Sequence, residues 1–203
     1  MKKKIILIGS GGHAVSTINL IESNKQFKIV GIVNQNRKIK NLMNYPVIGT
    51  DKDLKRIIRS YTKNCCIGIG QIKDYKIRTS VFNRLKKIGF KLLTIVSKNS
   101  DINKSTKIGE GTVIFHNCII NSNVFIGKNC IINNGVIIEH DSIIGDNCHI
   151  STGAIINGSV KIGKNSFIGS GAIVKNNTQI GNNVVIGMGK RIKKSIKSNS
   201  TIK

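Results

Sequence analysis

The chain has 203 residues, 39% hydrophobic but only 4% aromatic, with 33 Lys and Arg against 9 Asp and Glu for a formal charge of +24. No run reaches the roughly 18 apolar residues of a membrane-spanning helix, and five cysteines without a Cys-x-x-Cys pair argue against a disulfide framework and a metal site. The charge attracts polyanions or phosphate-bearing small molecules, yet it is Lys scattered along the chain without interleaved aromatics, so nucleic acid is not expected as a partner.

The apolar run Ile5–Ile8 after Lys2-Lys3-Lys4 is too short for a secretory leader. It reads as a first strand, Lys4–Ile8, and the expected compartment is the cytoplasm. Gly9-Ser10-Gly11-Gly12-His13-Ala14 follows, then a helical pattern through Ile18, Leu20 and Ile21. Lys28–Val33 reads as a second strand, and Asp51–Tyr61 as a helix with an Asp N-cap signal. Cys65–Ile69 is a third strand, Ile72–Ile88 a helix, and Phe90–Val96 a last strand running into a linker, Ser97–Ser100. Alternating strands and helices predict an α/β domain with a Rossmann-like parallel sheet.

Gly9-x-Gly11-x-x-Ala14 fits the relaxed dinucleotide fingerprint, in which backbone N–H groups at a helix start favour a phosphate. NAD would want an acidic residue for its ribose at the end of the second strand. Asn34-Gln35-Asn36 stand there instead, and Glu22 is the sole carboxylate of the first 50 residues. The expected ligand is phosphate-bearing and not NAD.

From Ile102 to Ile192 an Ile or Val recurs at every sixth position. Gly often follows it, and the fifth position of most hexads is small or β-branched, as at Thr112, Cys130, Ser142 and Ala154. A helix with about 3.6 residues per turn would sweep such a pattern around all its faces. Period six fits a triangular β-coil instead: one hexad per side, Ile inward, Gly or Asn at the corners, three hexads per coil. The predicted organisation is 1–98 as the α/β domain, 99–192 as the coil and 193–203 as a basic tail.

The glycine-rich turn after the first strand, followed by this repeat, resembles the sialic-acid and bacillosamine branch of hexapeptide-repeat sugar acetyltransferases. The likeness covers nearly the whole chain. It implies a left-handed parallel β-helix behind a nucleotide-sugar-binding domain, and a homotrimer. It further implies acetyl-CoA as cosubstrate, no metal, and acetylation of the amino group of a nucleotide-linked 4-amino-4,6-dideoxysugar in surface-glycan biosynthesis. Alternatives are an O-acetyltransferase acting on sialic-acid-like or other sugars, and a non-enzymatic β-helix binding scaffold. Asn133–Asp141 is similar to the branch's catalytic segment, which puts the general base on His140 and its carboxylate partner on Asp141. By the same likeness His149, Ser170 and Met188 fall at the CoA site, and Gly11, Gly12, His13, Asn34, Gln35 and Gly70 at the sugar-nucleotide site. The chain departs from the branch at Asn34-Gln35, where Asp-Asp is common, and in lacking a Pro-Ala-Lys-type terminus.

Acetyl transfer requires an amine or hydroxyl to lose a proton as it attacks a thioester, and an imidazole suits that role near neutral pH. Coil arithmetic adds an independent expectation. Gly158 is one 18-residue coil beyond His140, so its N–H is a candidate donor to the thioester oxyanion. His116 falls on a different side of the coil and reads as a surface residue.

Overall fold

The computed structural model describes residues 2–36, 38–72 and 74–203. They form two compact units, 1–70 with 76–95 and 71–75 with 96–203. No helix among the described residues is long and apolar enough to cross a membrane.

The first unit runs β1 (Lys3–Ile8), α1 (Gly12–Ser23), β2 (Phe27–Val33), β3 (Asn41–Leu42), β4 (Tyr45–Gly49), α2 (Leu54–Ser60), β5 (Asn64–Ile67), α3 (Lys76–Ile88) and β6 (Lys91–Leu92). Its sheet has the order β3-β4-β2-β1-β5-β6. Central β1 enters on two exposed lysines and then runs apolar from Ile5 to Ile8, with Ile5, Ile6 and Leu7 fully buried, as a strand covered on both faces requires. The strand order reverses at β1, which opens a crevice at the carboxyl ends of the strands. The sheet is mixed, not wholly parallel, because β3 runs antiparallel to β4. Only Met43 and Asn44 separate those two strands, too few for a crossover, and Met43 takes a left-handed φ of 53° to close the hairpin.

Three local expectations shift. The expected helix opens as a 3-10 turn, Asp51–Asp53, ahead of α2, and its cap is Thr50, not Asp51: Thr50 Oγ1 accepts from Lys52 N–H while Asp53 Oδ2 accepts from Thr50 N–H at 2.8 Å. Helix α3 starts at Lys76, because 71–75 belong to the other unit. The last expected strand splits, β6 staying in this sheet and Ile95–Val96 joining the coil. Arg78 of α3 is fully buried, and its Nη1 donates to Ile67 O and Ile69 O at 2.9 and 2.7 Å, satisfying carbonyls at the end of β5.

The second unit is a three-sided parallel β-helix. Two-residue strands recur every six residues and pair with strands eighteen residues away, as in Ile120↔Ile138 and Ile138↔Ile156. They form faces of seven, six and five strands. The recurring aliphatics point inward as one continuous core, each burial contributing about 1.5–3 kcal/mol. The small fifth-position residues tie adjacent coils together. Thr112 Oγ1 donates to Gly127 O at 2.7 Å and accepts from Cys130 N–H at 3.0 Å; Ser142 does the same with Asn157 O and Val160 N–H.

Corners use left-handed residues, mostly Asn and Gly. On one edge Asn129, Asn147, Asn165, Asn183 and Asn199 form a ladder of amide hydrogen bonds of 2.8–3.1 Å. Gly109 is needed for a different reason: a Cβ there would lie 2.5 Å from the backbone of Gly127 in the next coil.

The coil extends beyond Ile192. Residues 193–203, expected as a basic tail, pair through Ile180↔Ile196 and Val185↔Thr201. Here the spacing falls to sixteen, as in Gln179 N–H donating to Ser195 Oγ, so the six-residue rhythm stops in sequence while the backbone ladder continues. At the other end Ser97, expected in a linker, is buried and bonds Ile114 O at the first corner.

Candidate active site

His140 sits on the edge between the six-stranded and five-stranded faces, held there by the inward residues Ile138 and Ile144 on either side. The next residue, Asp141, occupies the left-handed corner position at φ 60°. That conformation folds its carboxylate back, so that His140 Nδ1 meets Asp141 Oδ2 at 2.8 Å. Asn123, one coil below, donates from Nδ2 to Asp141 Oδ1 at 3.1 Å. The hydrogen bond from His140, and after it the one from Asn123, holds the Asp141 carboxyl below its ordinary value. An ionised carboxylate only accepts, so Nδ1 donates to it, which in the neutral ring leaves Nε2 as an acceptor.

Gly158 lies over that nitrogen. A Cβ at 158 would be 2.7 Å from His140 Nε2, so the imidazole occupies the space a side chain would need. The N–H of Gly158 has no acceptor among the described residues. An acceptor nitrogen and a main-chain donor are thus placed side by side on an exposed edge.

The residues expected at CoA lie elsewhere on the coil. Ser170 and Met188 are one coil apart on the edge between the seven-stranded and six-stranded faces, linked by Gly189 N–H to Ser170 O at 2.8 Å. Ser170 Oγ meets Ser151 Oγ at 2.9 Å, and Met188 is 81% exposed. His149, two residues before Ser151, is buried on the seven-stranded face, its ring edge-on to Phe167 at 5.2 Å. The His140 edge and the Ser170–Met188 edge bound the same six-stranded face. His116, expected at the surface, is partly buried, with Nδ1 2.7 Å from Ser97 Oγ.

In the α/β unit, a cavity of about 630 Å³ opens at the carboxyl ends of β1 and β2. Gly11, Asn34 and Gln35 line it. Gly12 and His13, in the first turn of α1, and Gly70 do not; Gly70 packs instead on His13, where a Cβ would lie 3.3 Å from the His13 Cβ. Lys76, Ser80 and Arg84 along α3 complete the wall, and Arg84 is ion-paired to Asp51. This cationic wall, opposite the N-terminus of α1, suits a phosphate-bearing ligand.

Sequence reasoning missed Asn123, although it stands eighteen residues before Asp141 and coil arithmetic reaches it. It also missed Asp51, Lys76 and Arg84, for which no local pattern exists. No cluster of His, Cys, Asp and Glu that could hold a metal occurs among the described residues.

Residues 4–85 match the PglD N-terminal domain family and residues 96–202 the GMPPB C-terminal domain family. No curated protein matches the sequence significantly. Among solved structures, the acetyltransferase domain of PglB from Neisseria gonorrhoeae, in complex with acetyl coenzyme A, is 26% identical with a TM-score of 0.87, over 99% of this chain and 96% of that one. PerB from Caulobacter crescentus, in complex with CoA and GDP-perosamine, is 25% identical with a TM-score of 0.91, over 98% and 92%. WeeI from Acinetobacter baumannii is 26% identical with a TM-score of 0.84, over 98% and 96%. The architecture is therefore a Rossmann-like domain followed by a left-handed parallel β-helix.

Proposed function

Because this chain belongs to the hexapeptide-repeat sugar acetyltransferases of the PglD-like branch, we propose that it transfers an acetyl group from acetyl-CoA to the amine of a nucleotide-linked 4-amino-4,6-dideoxysugar. The observation that carries the reaction to a specific place is the His140–Asp141 pair beneath Gly158. In this reading the acceptor amine attacks the thioester carbonyl, and His140 Nε2 takes the proton that nitrogen loses. The imidazolium so formed is stabilised by Asp141 through Nδ1–H. The Gly158 N–H donates to the oxyanion, a contact whose loss costs about 10²–10³-fold in other acyl transfers. As the C–N bond is made the C–S bond breaks, and the proton held at His140 passes to the departing thiolate. Direct attack suffices, with no acyl-enzyme.

The nucleotide of the acceptor belongs, in this proposal, to the cavity beside Gly11, Asn34 and Gln35, where Lys76 and Arg84 offset its diphosphate charge. The compartment proposed is the cytoplasm. Thiol release from acetyl-CoA should appear with one of a panel of UDP-, GDP- and dTDP-linked amino sugars, and mass spectrometry should find one added acetyl group on nitrogen. Titration should show that nucleotide sugar binding and NAD not binding. A chain that releases no thiol with any of them and binds NAD tightly refutes the proposal.

The active assembly proposed is a homotrimer. The six-stranded face carries an outward column of Ile119, Ile137, Ile155 and Ile173, with Ile119 44% exposed. Such a stripe calls for a cover, and three copies closing around it would bring the His140 edge of one chain to the Ser170–Met188 edge of another. Light scattering should give the mass of three chains at micromolar concentration. A monomer with full activity would remove this part of the proposal.

A further inference from the structure

The Asp141 carboxylate and the His140 ring it accepts from both stand in solvent, their side chains 51% and 59% exposed. An exposed charged pair holds its geometry weakly, because both side chains keep rotamer freedom and water competes for each polar atom. The coil below supplies what the pair lacks. Asp141 N–H donates to Ser122 O at 3.0 Å, and Asn123 Nδ2 donates to Asp141 Oδ1 at 3.1 Å. A carboxylate oxygen only accepts, so the Asn123 amide must present its nitrogen. Asn123 is fixed in turn: its φ of 58° is left-handed like that of Asp141, and its N–H donates to Ser105 Oγ at 2.8 Å. The arrangement copies the amide ladder of another edge, where each Asn Nδ2 donates to the Oδ1 eighteen residues on, Asn129 to Asn147 and Asn147 to Asn165. Asp141 stands at the equivalent corner position of its own edge. One of its oxygens takes such a rung, and the other accepts from His140 Nδ1 at 2.8 Å.

We propose that Asn123 is a positioning residue for the general base: it pins one Asp141 oxygen on the line of the ladder, so that the other sets the tautomer and orientation of the His140 ring beside Gly158. The proposal rests on the reading of His140 as the base. Without the rung, the carboxylate turns about its bond to Cβ and offers the ring no fixed acceptor. With it, the main chain at Ser122 and the side chain of Asn123 hold Asp141 from the same coil. A base on an exposed edge needs such support to stay within about half an ångström of its working position. The same corner element that elsewhere only ties coils together is here joined to the reacting group, because an aspartate replaces the asparagine and has an oxygen to spare for the imidazole.

Asn123→Gly tests this, because glycine accepts the left-handed φ and removes only the amide. Turnover is expected to fall about 5–10-fold, the effect of one lost hydrogen bond. The KM values for acetyl-CoA and the nucleotide sugar should stay within about twofold. Long-range proton–nitrogen NMR on histidine-labelled protein reads the ring directly. Neutral His140 should carry its proton on Nδ1 in the native protein and populate both tautomers in Asn123→Gly. In an Asp141→Gly background the Asn123→Gly change should be silent, since the carboxylate it positions is gone. Asn183→Gly removes a rung of the other ladder and should leave turnover and tautomer as they are in the native protein. A neutral native His140 protonated at Nε2 overturns the proposal, whether or not any variant folds. So does an Asn123→Gly protein with unchanged turnover and tautomer, an equal loss with and without Asp141, or an equal loss from Asn183→Gly. A native protein that has the Nδ1–H tautomer, and loses it in Asn123→Gly, yet acetylates no amino sugar removes the proposed function and leaves the positioning role standing.

Discussion

Replacing His140 with alanine is expected to lower turnover by about 10²–10⁴-fold, the usual span for loss of a general base. Acetyl-CoA affinity, assembly and thermal unfolding should not change. The His140 side chain is 59% exposed, whereas the coil at that corner is held by Ile138 and Ile144, which are fully buried. Asp141→Asn should have a smaller effect of a different kind. The Asp141 carboxyl sits below its ordinary value because His140 donates to it, so it stays ionised throughout the range in which an imidazole titrates. Its negative charge stabilises the imidazolium that forms as the proton is taken, and the uncharged amide does not, so turnover is expected to fall while binding of both substrates is kept. Turnover and kcat/KM as functions of pH, with one amino-sugar acceptor, test both variants. Near-normal turnover in His140→Ala, with activity abolished in His149→Ala or His116→Ala, would put the base elsewhere.

Gly158→Ala should be nearly as damaging, through geometry alone. The added methyl would fall 2.7 Å from His140 Nε2 and 2.8 Å from Cε1, and its next neighbour is again that ring. The backbone at 158 is not left-handed, so alanine is tolerated there and the imidazole yields instead. Displacing the base by about an ångström is expected to cost on the order of 10²-fold in turnover, with stability within about 0.5 kcal/mol of native. A double-mutant cycle isolates the cause. In a His140→Ala background the same substitution should be almost silent, because the ring it displaces is gone. If the two losses multiply, the added methyl acts on something other than the His140 ring, such as the approach of the acyl donor, and the steric account is wrong.

Much of the coil was legible because its contacts repeat. Once a strict period of six implies an inward Ile and three sides, each residue's vertical neighbour follows by adding eighteen. Gly158 over His140 was obtained that way, and Asn123 under Asp141 was obtainable. The rhythm misled where the spacing changed. The chain from 193 onward loses two residues per coil yet continues the same ladder through Ile196 and Thr201, so hydrogen bonding persisted where the pattern did not. Ile95 and Val96 read equally well as the end of an α/β strand or the start of a coil, since a short apolar run does not announce its sheet.

The α/β unit shows the same division. The glycine-rich turn, the buried run of β1 and the amides at Asn34 and Gln35 are local and were read directly. Thr50 and Asp51 are equally good capping types side by side, and hydrogen-bond geometry selects Thr50 as the cap of the 3-10 turn at Asp51–Asp53.

What residue order settled about this protein is whatever repeats or is local: the inward isoleucine core, the eighteen-residue stacking, the corner asparagines and the histidine under a glycine. Folding in three dimensions settled whatever depends on a torsion angle or on the chain's return from a distance. The left-handed φ of Asp141 turns a neighbouring carboxylate into a partner of His140. Gln71 reaches His149 across 78 residues, and Asp51 meets Arg84 from a different helix. Periodic contacts are encoded many times over by one short rule, while each of these is made once, by packing that no stretch of neighbouring residues specifies.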